Sequence, residues 1–227
     1  IWRASLKQVS QRCTELAQIL SPDERARADR FHFERDRNHF ITRHGILRLI
    51  LNRYLDMAPD QLQFTRNRYG KPALAGSTNG EGLCFNMSHS HELALYAVTR
   101  SQAVGIDIER IRPIPEIKHM VARFFSPRER ASFQKVPEER KREAFFTCWV
   151  RKEAYVKARG SGLSLPLDQF DVSLAPGELA RLSGTRHCPS AIDHWSLYAV
   201  PVEAGYAAAV AAAGRGLMLE HWQVCLD

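Results

Sequence analysis

No apolar run in this 227-residue sequence reaches the roughly 18 residues that a membrane span needs. The opening residues carry no signal-peptide pattern, so a soluble, cytoplasmic protein with no membrane partner is expected. Cysteine is sparse. The five cysteines (Cys13, Cys84, Cys148, Cys188 and Cys225) are odd in number, widely spaced and without a C-x-x-C, which speaks against a disulfide framework or a zinc site. Low-complexity segments are absent. No Ser-His-Asp arrangement is specified, because the serines near His89 adjoin it in sequence. No strand or helix interleaves aromatic and basic residues into a base-stacking platform, which argues against nucleic acid.

What is present is ordinary globular material, 44% hydrophobic and 25% charged, enough for a sizeable core. The net charge of +7 favours polyanionic partners, among them an acidic protein or a phosphate-rich cofactor. Ser21-Pro22-Asp23-Glu24-Arg25-Ala26 and Ser126-Pro127-Arg128-Glu129-Arg130-Ala131 share the pattern S-P-x-E-R-A, a helix start with a capping box and a proline at the first helical position. Leu95 to Val98 reads LYAV, and so does Leu197 to Val200. The two matches are offset by 105 and 102 residues in the same order, which indicates a duplicated unit.

Each half then reads as a short capped helix, a long helix (34–54 and 137–158) and strands. The strands expected are 93–99 and 104–109 in the first half and 170–174, 195–202, 206–212 and 219–224 in the second. Pro113 and Pro115 mark the junction. The expected fold is α+β, a pseudo-two-fold duplicated unit packed as an intramolecular pseudo-dimer. Residues 1–112 and 113–227 form its halves, with the active site in the cleft between them.

The duplication breaks at Gly105-Ile106-Asp107-Ile108-Glu109. Asp107 and Glu109 alternate on one strand face, and the offset of 102 puts Ala209 and Ala211 in their places. Two such acids need a cation between them, a metal ion such as Mg²⁺ or a basic side chain. Taken alone, D-x-E is a weak signal that also reads as the solvated acidic face of an edge strand. Glu153 and Lys157 share a helix face at i and i+4, either as a third carboxylate with a phosphate-binding lysine or as an exposed ion pair. Asn86-Met87-Ser88-His89-Ser90 reads as a strand-leading loop able to bind phosphate oxygens, or as a polar turn. Tyr69-Gly70-Lys71-Pro72 offers backbone access and a point charge, or an ordinary turn. Arg37, Arg43 and Arg48 make a basic helix face.

In this order these elements resemble the Sfp-type 4′-phosphopantetheinyl transferases. The match is carried by GKP at Gly70 to Pro72, N-x-SHS at Asn86 to Ser90, GIDIE at Gly105 to Glu109, FFS at Phe124 to Ser126, and W-x-x-KEAYVKARGSGLSLPL from Trp149 to Leu167. The resemblance implies transfer of 4′-phosphopantetheine from coenzyme A to a serine of an acyl or peptidyl carrier protein, with release of 3′,5′-ADP. It implies a monomer that uses Mg²⁺, or Mn²⁺ in its place. Asp107, Glu109 and Glu153 match its metal ligands. Lys71, Ser88, His89, Lys152 and Lys157 match coenzyme A contacts, and Arg43 matches a position used for the nucleotide 3′-phosphate. Lys157 and His89 would stabilise the leaving group, and Glu153 would be the base, directly or through a metal-bound water. Glu24 stands where some members carry a lysine, with Arg27 and Arg30 as substitutes. The carrier is expected to dock on residues 111–133, where Arg112, Lys118, Arg123, Met120 and Phe124 lie. The rival readings are a metal-dependent nuclease and a non-catalytic coenzyme- or nucleotide-binding module.

Overall fold

A computed structural model describes residues 1–76 and 82–225. The first half contains β1 (Trp2–Ser5), α1 (Leu6–Val9), α2 (Cys13–Gln18), α3 (Pro22–Ala28), α4 (Glu34–Asn52), β2 (Phe64–Arg66), β3 (Pro72–Leu74), β4 (Leu83–Ser90), β5 (Leu93–Arg100) and β6 (Val104–Arg110). The second contains α5 (Ile117–Phe124), α6 (Pro127–Gln134), α7 (Lys141–Arg159), β7 (Phe170–Val172), β8 (Leu182–Thr185), α8 (Ala191–His194), β9 (Trp195–Ala199), β10 (Tyr206–Ala213) and β11 (Trp222–Gln223).

Two sheets, β11-β1-β5-β4 and β6-β10-β9, stack between two long helices. Strand alternation sorts the apolar side chains into three cores. Phe85, Ala94 and Tyr96 pack outward against Ile46, Leu47 and Ile50 of α4. Leu93, Leu95 and Ala97 meet Ile106, Ile108 and Val210 between the sheets. Leu197, Ala209 and Ala211 pack outward against Phe145, Ala154 and Val156 of α7.

The duplication is physical. In the antiparallel β6–β10 ladder Asp107 pairs with Ala209, its own counterpart at the offset of 102, so the local two-fold axis passes between them. Both capping boxes form, at Ser21/Glu24 and Ser126/Glu129. Each capping glutamate then reaches a buried cation on the long helix. Glu24 takes Arg48 at 2.7 Å, and Glu129 takes Lys152 at 2.8 Å. Arg48 donates to the carbonyls of Pro59 and Leu62 beneath the ring of Phe64. Lys152 donates to those of Leu167 and Phe170 beneath the ring of Phe170. Arg48 and Lys152 are sister residues at an offset of 104.

Several boundaries differ from the sequence reading. The segment 86–90 is not a loop but the end of β4, paired with β5 over its whole length. Its polar residues at 86, 88 and 90 alternate with apolar Phe85 and Met87, the period of a strand between two environments. The strand expected over 195–202 stops at Ala199. The one expected over 219–224 shrinks to Trp222–Gln223. The long helix expected from 137 begins at Lys141, after a 3₁₀ turn over Glu138–Arg140.

Candidate active site

The site grows from β6. Ile106 and Ile108 are drawn into the inter-sheet core, which turns Asp107 and Glu109 toward α7. Gly105 lets α7 come close. A Cβ there would lie 2.2 Å from the Ala158 nitrogen and 2.3 Å from the Ala154 oxygen. That approach carries Lys157 and Glu153, one turn apart on α7, to the acids of β6.

Asp107 is 3% exposed. Its Oδ1 accepts from Ser88 Oγ at 2.8 Å and from Lys157 Nζ at 2.6 Å. Its Oδ2 is buried with no partner. Lys157 Nζ also donates to Ser88 Oγ at 3.0 Å. Glu109 Oε2 accepts from Ser90 Oγ at 2.9 Å.

Burial pushes all three carboxyls above their ordinary values. Lys157 and Ser88 pull Asp107 back only in part. The Asp107 charge adds to the rise at Glu109, and Asp107 and Glu109 both add to it at Glu153. Lys157 acts on all three acids and Arg112 on Glu109, so three mutually repelling carboxyls outnumber the cations beside them. Among the described residues no three His, Cys, Asp or Glu side chains are gathered closely enough to hold a metal ion as they stand. The hard oxygen donors and the orphaned Oδ2 nevertheless fit a small divalent cation.

Two cavities adjoin here. One of about 560 Å³ is lined by Lys71, Glu153 and Lys157 with Tyr69, Arg123 and Phe124. The other, about 710 Å³, is lined by Arg27, His44 and Arg66. Pro72, Asn86 and Met87 line both. Lys71 reaches in from a turn whose Gly70 has φ +85°, which a glycine adopts freely. Its Nζ donates to the carbonyls of Val104 and Ala158, tying that turn to β6 and to the end of α7.

His89 lies apart from the acids. Strand alternation turns it from the face of Ser88 and Ser90, and Arg43 Nη1 of α4 lies 2.7 and 2.8 Å from its two ring nitrogens. Partial burial, with Arg43 and neighbouring histidines, pushes its pKa down to about 4, so the ring is neutral at pH 7. Burial alone would raise Glu24, but His44, the Ser21 backbone and Arg48 hold it at about 2. Glu24 is therefore a tie between α3 and α4.

Lys152 is a correction. It is 0% exposed and lines neither cavity, and its ammonium is spent on Glu129 and two carbonyls. No ligand arriving from solvent reaches it. Arg48, its sister, does the same work in the other half. Lys152→Met is expected to destabilise the protein by about 3–5 kcal/mol in urea unfolding, because Glu129 stays buried without its cation. Adding Glu129→Gln should recover part of that loss, whereas an unchanged midpoint for Lys152→Met would refute the tie.

On the expected docking segment Arg112, Lys118 and Arg123 are exposed, while Met120 and Phe124 are half-buried against the second-half core. Phe124 packs edge-on to Trp149 under the Arg123 guanidinium. The sequence reading missed Ser90 as a partner of Glu109. It also missed the role of Gly105, although a glycine within a strand run is a signal for close backbone approach.

No described helix is long and apolar enough to cross a membrane. A family model described as "4′-phosphopantetheinyl transferase superfamily" matches residues 103–211, and one described as "4′-phosphopantetheinyl transferase, N-terminal" matches residues 2–101. The chain is 40% identical to the 4′-phosphopantetheinyl transferase HetI of a Nostoc species, covering 98% of this chain and 90% of that one. It is 33% identical to the putative 4′-phosphopantetheinyl transferase slr0495 of a Synechocystis species, over 81% and 73%. It is 31% identical to the 4′-phosphopantetheinyl transferase Sfp of Bacillus subtilis, over 86% and 83%. With family models over both halves and such relatives along nearly its whole length, the chain belongs to the 4′-phosphopantetheinyl transferases.

Proposed function

We propose that this enzyme moves 4′-phosphopantetheine from coenzyme A to a serine hydroxyl of an acyl or peptidyl carrier protein, releases 3′,5′-ADP, and needs Mg²⁺ to do so. The observation that carries the metal requirement is the orphaned Asp107 Oδ2 beside two further carboxyls that repel it. Asp107, Glu109 and Glu153 would hold the ion, which supplies charge neutralisation at the pyrophosphate. The repeat units 1–112 and 113–227 contribute Asp107 and Glu109 on one side and Glu153 and Lys157 on the other.

The chain's own groups divide the remaining work. Glu153 would take the proton of the carrier serine, directly or through a water. The serine oxygen bonds to the phosphorus bearing pantetheine, and the bond to 3′,5′-ADP breaks with its electron pair leaving on the nucleotide. Lys157, on the cavity wall, faces the charge that develops there. Arg43, with the neutral His89 ring beside it, would form a separate cationic point suited to the nucleotide 3′-phosphate. Lys71 borders both the cavity and the turn that shapes it. The exposed Arg112, Lys118 and Arg123 would meet an acidic carrier, and the net charge of +7 would speed encounter with both substrates.

The test is intact-mass spectrometry of apo carrier proteins incubated with the enzyme, coenzyme A and Mg²⁺, with an EDTA control. A gain of one phosphopantetheine that EDTA abolishes is expected. A gain that survives EDTA would remove the metal. No gain on fatty-acid, polyketide or peptide-type carriers, from folded protein, would remove the carrier reading.

A further inference from the structure

β4 and β6 are edge strands of different sheets that run side by side, and the described residues form no backbone ladder between them. Side chains fill the gap. Asn86 Oδ1 accepts from the Ile106 N–H at 2.8 Å, Ser88 Oγ donates to Asp107, and Ser90 Oγ donates to Glu109. Residues 86, 88 and 90 share one face of β4, as 107 and 109 share one face of β6. The two hydroxyls thus meet the two acids in step. In the sister half β10 carries alanines at 207, 209 and 211 and is joined to β9 by a regular ladder.

Each serine is itself oriented. Ser88 Oγ accepts from Lys157 Nζ, and Ser90 Oγ accepts from the Arg110 N–H at 3.0 Å. With a lone pair of each oxygen engaged, its proton is directed to the carboxylate. We infer that the Ser88-x-Ser90 row is a positioning device for the acidic centre, with Ser90 fixing Glu109 as Ser88 fixes Asp107, so that each acid offers its other oxygen to a cation. The inference rests on the metal reading above. It assigns to Ser90, which the coenzyme A contacts leave without a role, the part of a positioning residue.

Ser90 is the cleaner test, because Ser88 also touches Lys157. Mn²⁺ alone would be titrated into the full chain and followed by electron paramagnetic resonance. The variants are Ser90→Ala, Ser90→Thr and Asp107→Asn, and their affinity for 3′,5′-ADP in EDTA is measured in parallel. Ser90→Ala should bind Mn²⁺ about tenfold more weakly, the size of effect that partners behind metal ligands have. Ser90→Thr, which keeps the hydroxyl, should recover most of it, and 3′,5′-ADP affinity should not move. Unchanged Mn²⁺ affinity in Ser90→Ala, with Asp107→Asn impaired, overturns this inference alone. Weakened 3′,5′-ADP binding with unchanged Mn²⁺ affinity overturns it too, since Ser90 would then be a nucleotide contact. Normal Mn²⁺ binding by Asp107→Asn defeats the metal reading and this inference together.

Discussion

Asp107→Ala is expected to slow phosphopantetheine transfer by about a thousandfold or more while leaving the urea midpoint near that of the parent protein. The two halves of that expectation have separate grounds. The loss follows from the position of the carboxylate. It is the most buried of the three acids, its Oδ2 has no partner in the protein, and Lys157 and Ser88 converge on its Oδ1. Without it, Lys157 loses its anchor, and the proposed cation would lose one of its three carboxylates. The stability follows from the dyad. Ala209, paired with Asp107 across β6–β10, is itself fully buried, so the fold already tolerates a methyl group at this place. Removing a buried carboxylate also removes its desolvation cost, and the Lys157 side chain, 28% exposed, can turn toward solvent. Transfer rate by intact mass and unfolding in urea are the two readings. Asp107→Asn keeps the shape and an acceptor for Ser88 but drops the charge, and it should be equally inactive. Normal turnover in either variant would end the acidic-centre model. Inactivity accompanied by unfolding would make Asp107 a structural residue.

The same dyad explains what could be read from the sequence. Ser21 and Ser126 start matching helices, and the two LYAV strands keep nearly the same spacing, so the duplication was visible in one dimension. Against that background two acids opposite two alanines stood out at once. Three kinds of information were hidden. The first is burial. Lys152 sits between Arg151 and Glu153 in a charged run, and only packing reveals that it points at Glu129 and not at a ligand. Its sister Arg48 at the offset of 104 was the available clue. The second is direction. A polar stretch such as Asn86 to Ser90 reads as a loop until β5 is laid beside it, and only then do Ser88 and Ser90 face the acids while His89 faces Arg43. The third is the pairing of distant edges. β1, at the very start of the chain, is joined in parallel to β11 near the other end, through Trp2 opposite Trp222, and no local pattern encodes such a contact.

Gly105→Ala is expected to destabilise the protein by about 3 kcal/mol or more, at the upper end of what one added methyl does in a packed core. The reason is what the methyl would strike. The three nearest atoms are the Ala158 nitrogen, the Ala154 oxygen and the Lys157 carbonyl carbon, at 2.2, 2.3 and 2.7 Å, all main chain of α7. No rotamer change relieves that contact. Either α7 shifts outward by about 1 Å to restore van der Waals distance, or β6 buckles. β6 is held on both sides, by the ladder to β10 that includes Gly105 opposite Ala211 and by the Asn86 bond to Ile106. The helix must therefore yield, and Ala209 and Ala211 lose contact with Phe145 and Ala154. Catalysis falls with it, because Glu153 and Lys157 ride on α7. A misplacement of about 1 Å is enough to cost roughly a hundredfold in rate. Gly76, where an added methyl would meet nothing within 4 Å, supplies the control, and Gly76→Ala should leave both the urea midpoint and the rate unchanged. A Gly105→Ala protein as stable and as fast as the parent would mean that α7 does not rest on β6 at this distance. The approach that brings Lys157 to Asp107 would then have to come from elsewhere in the fold.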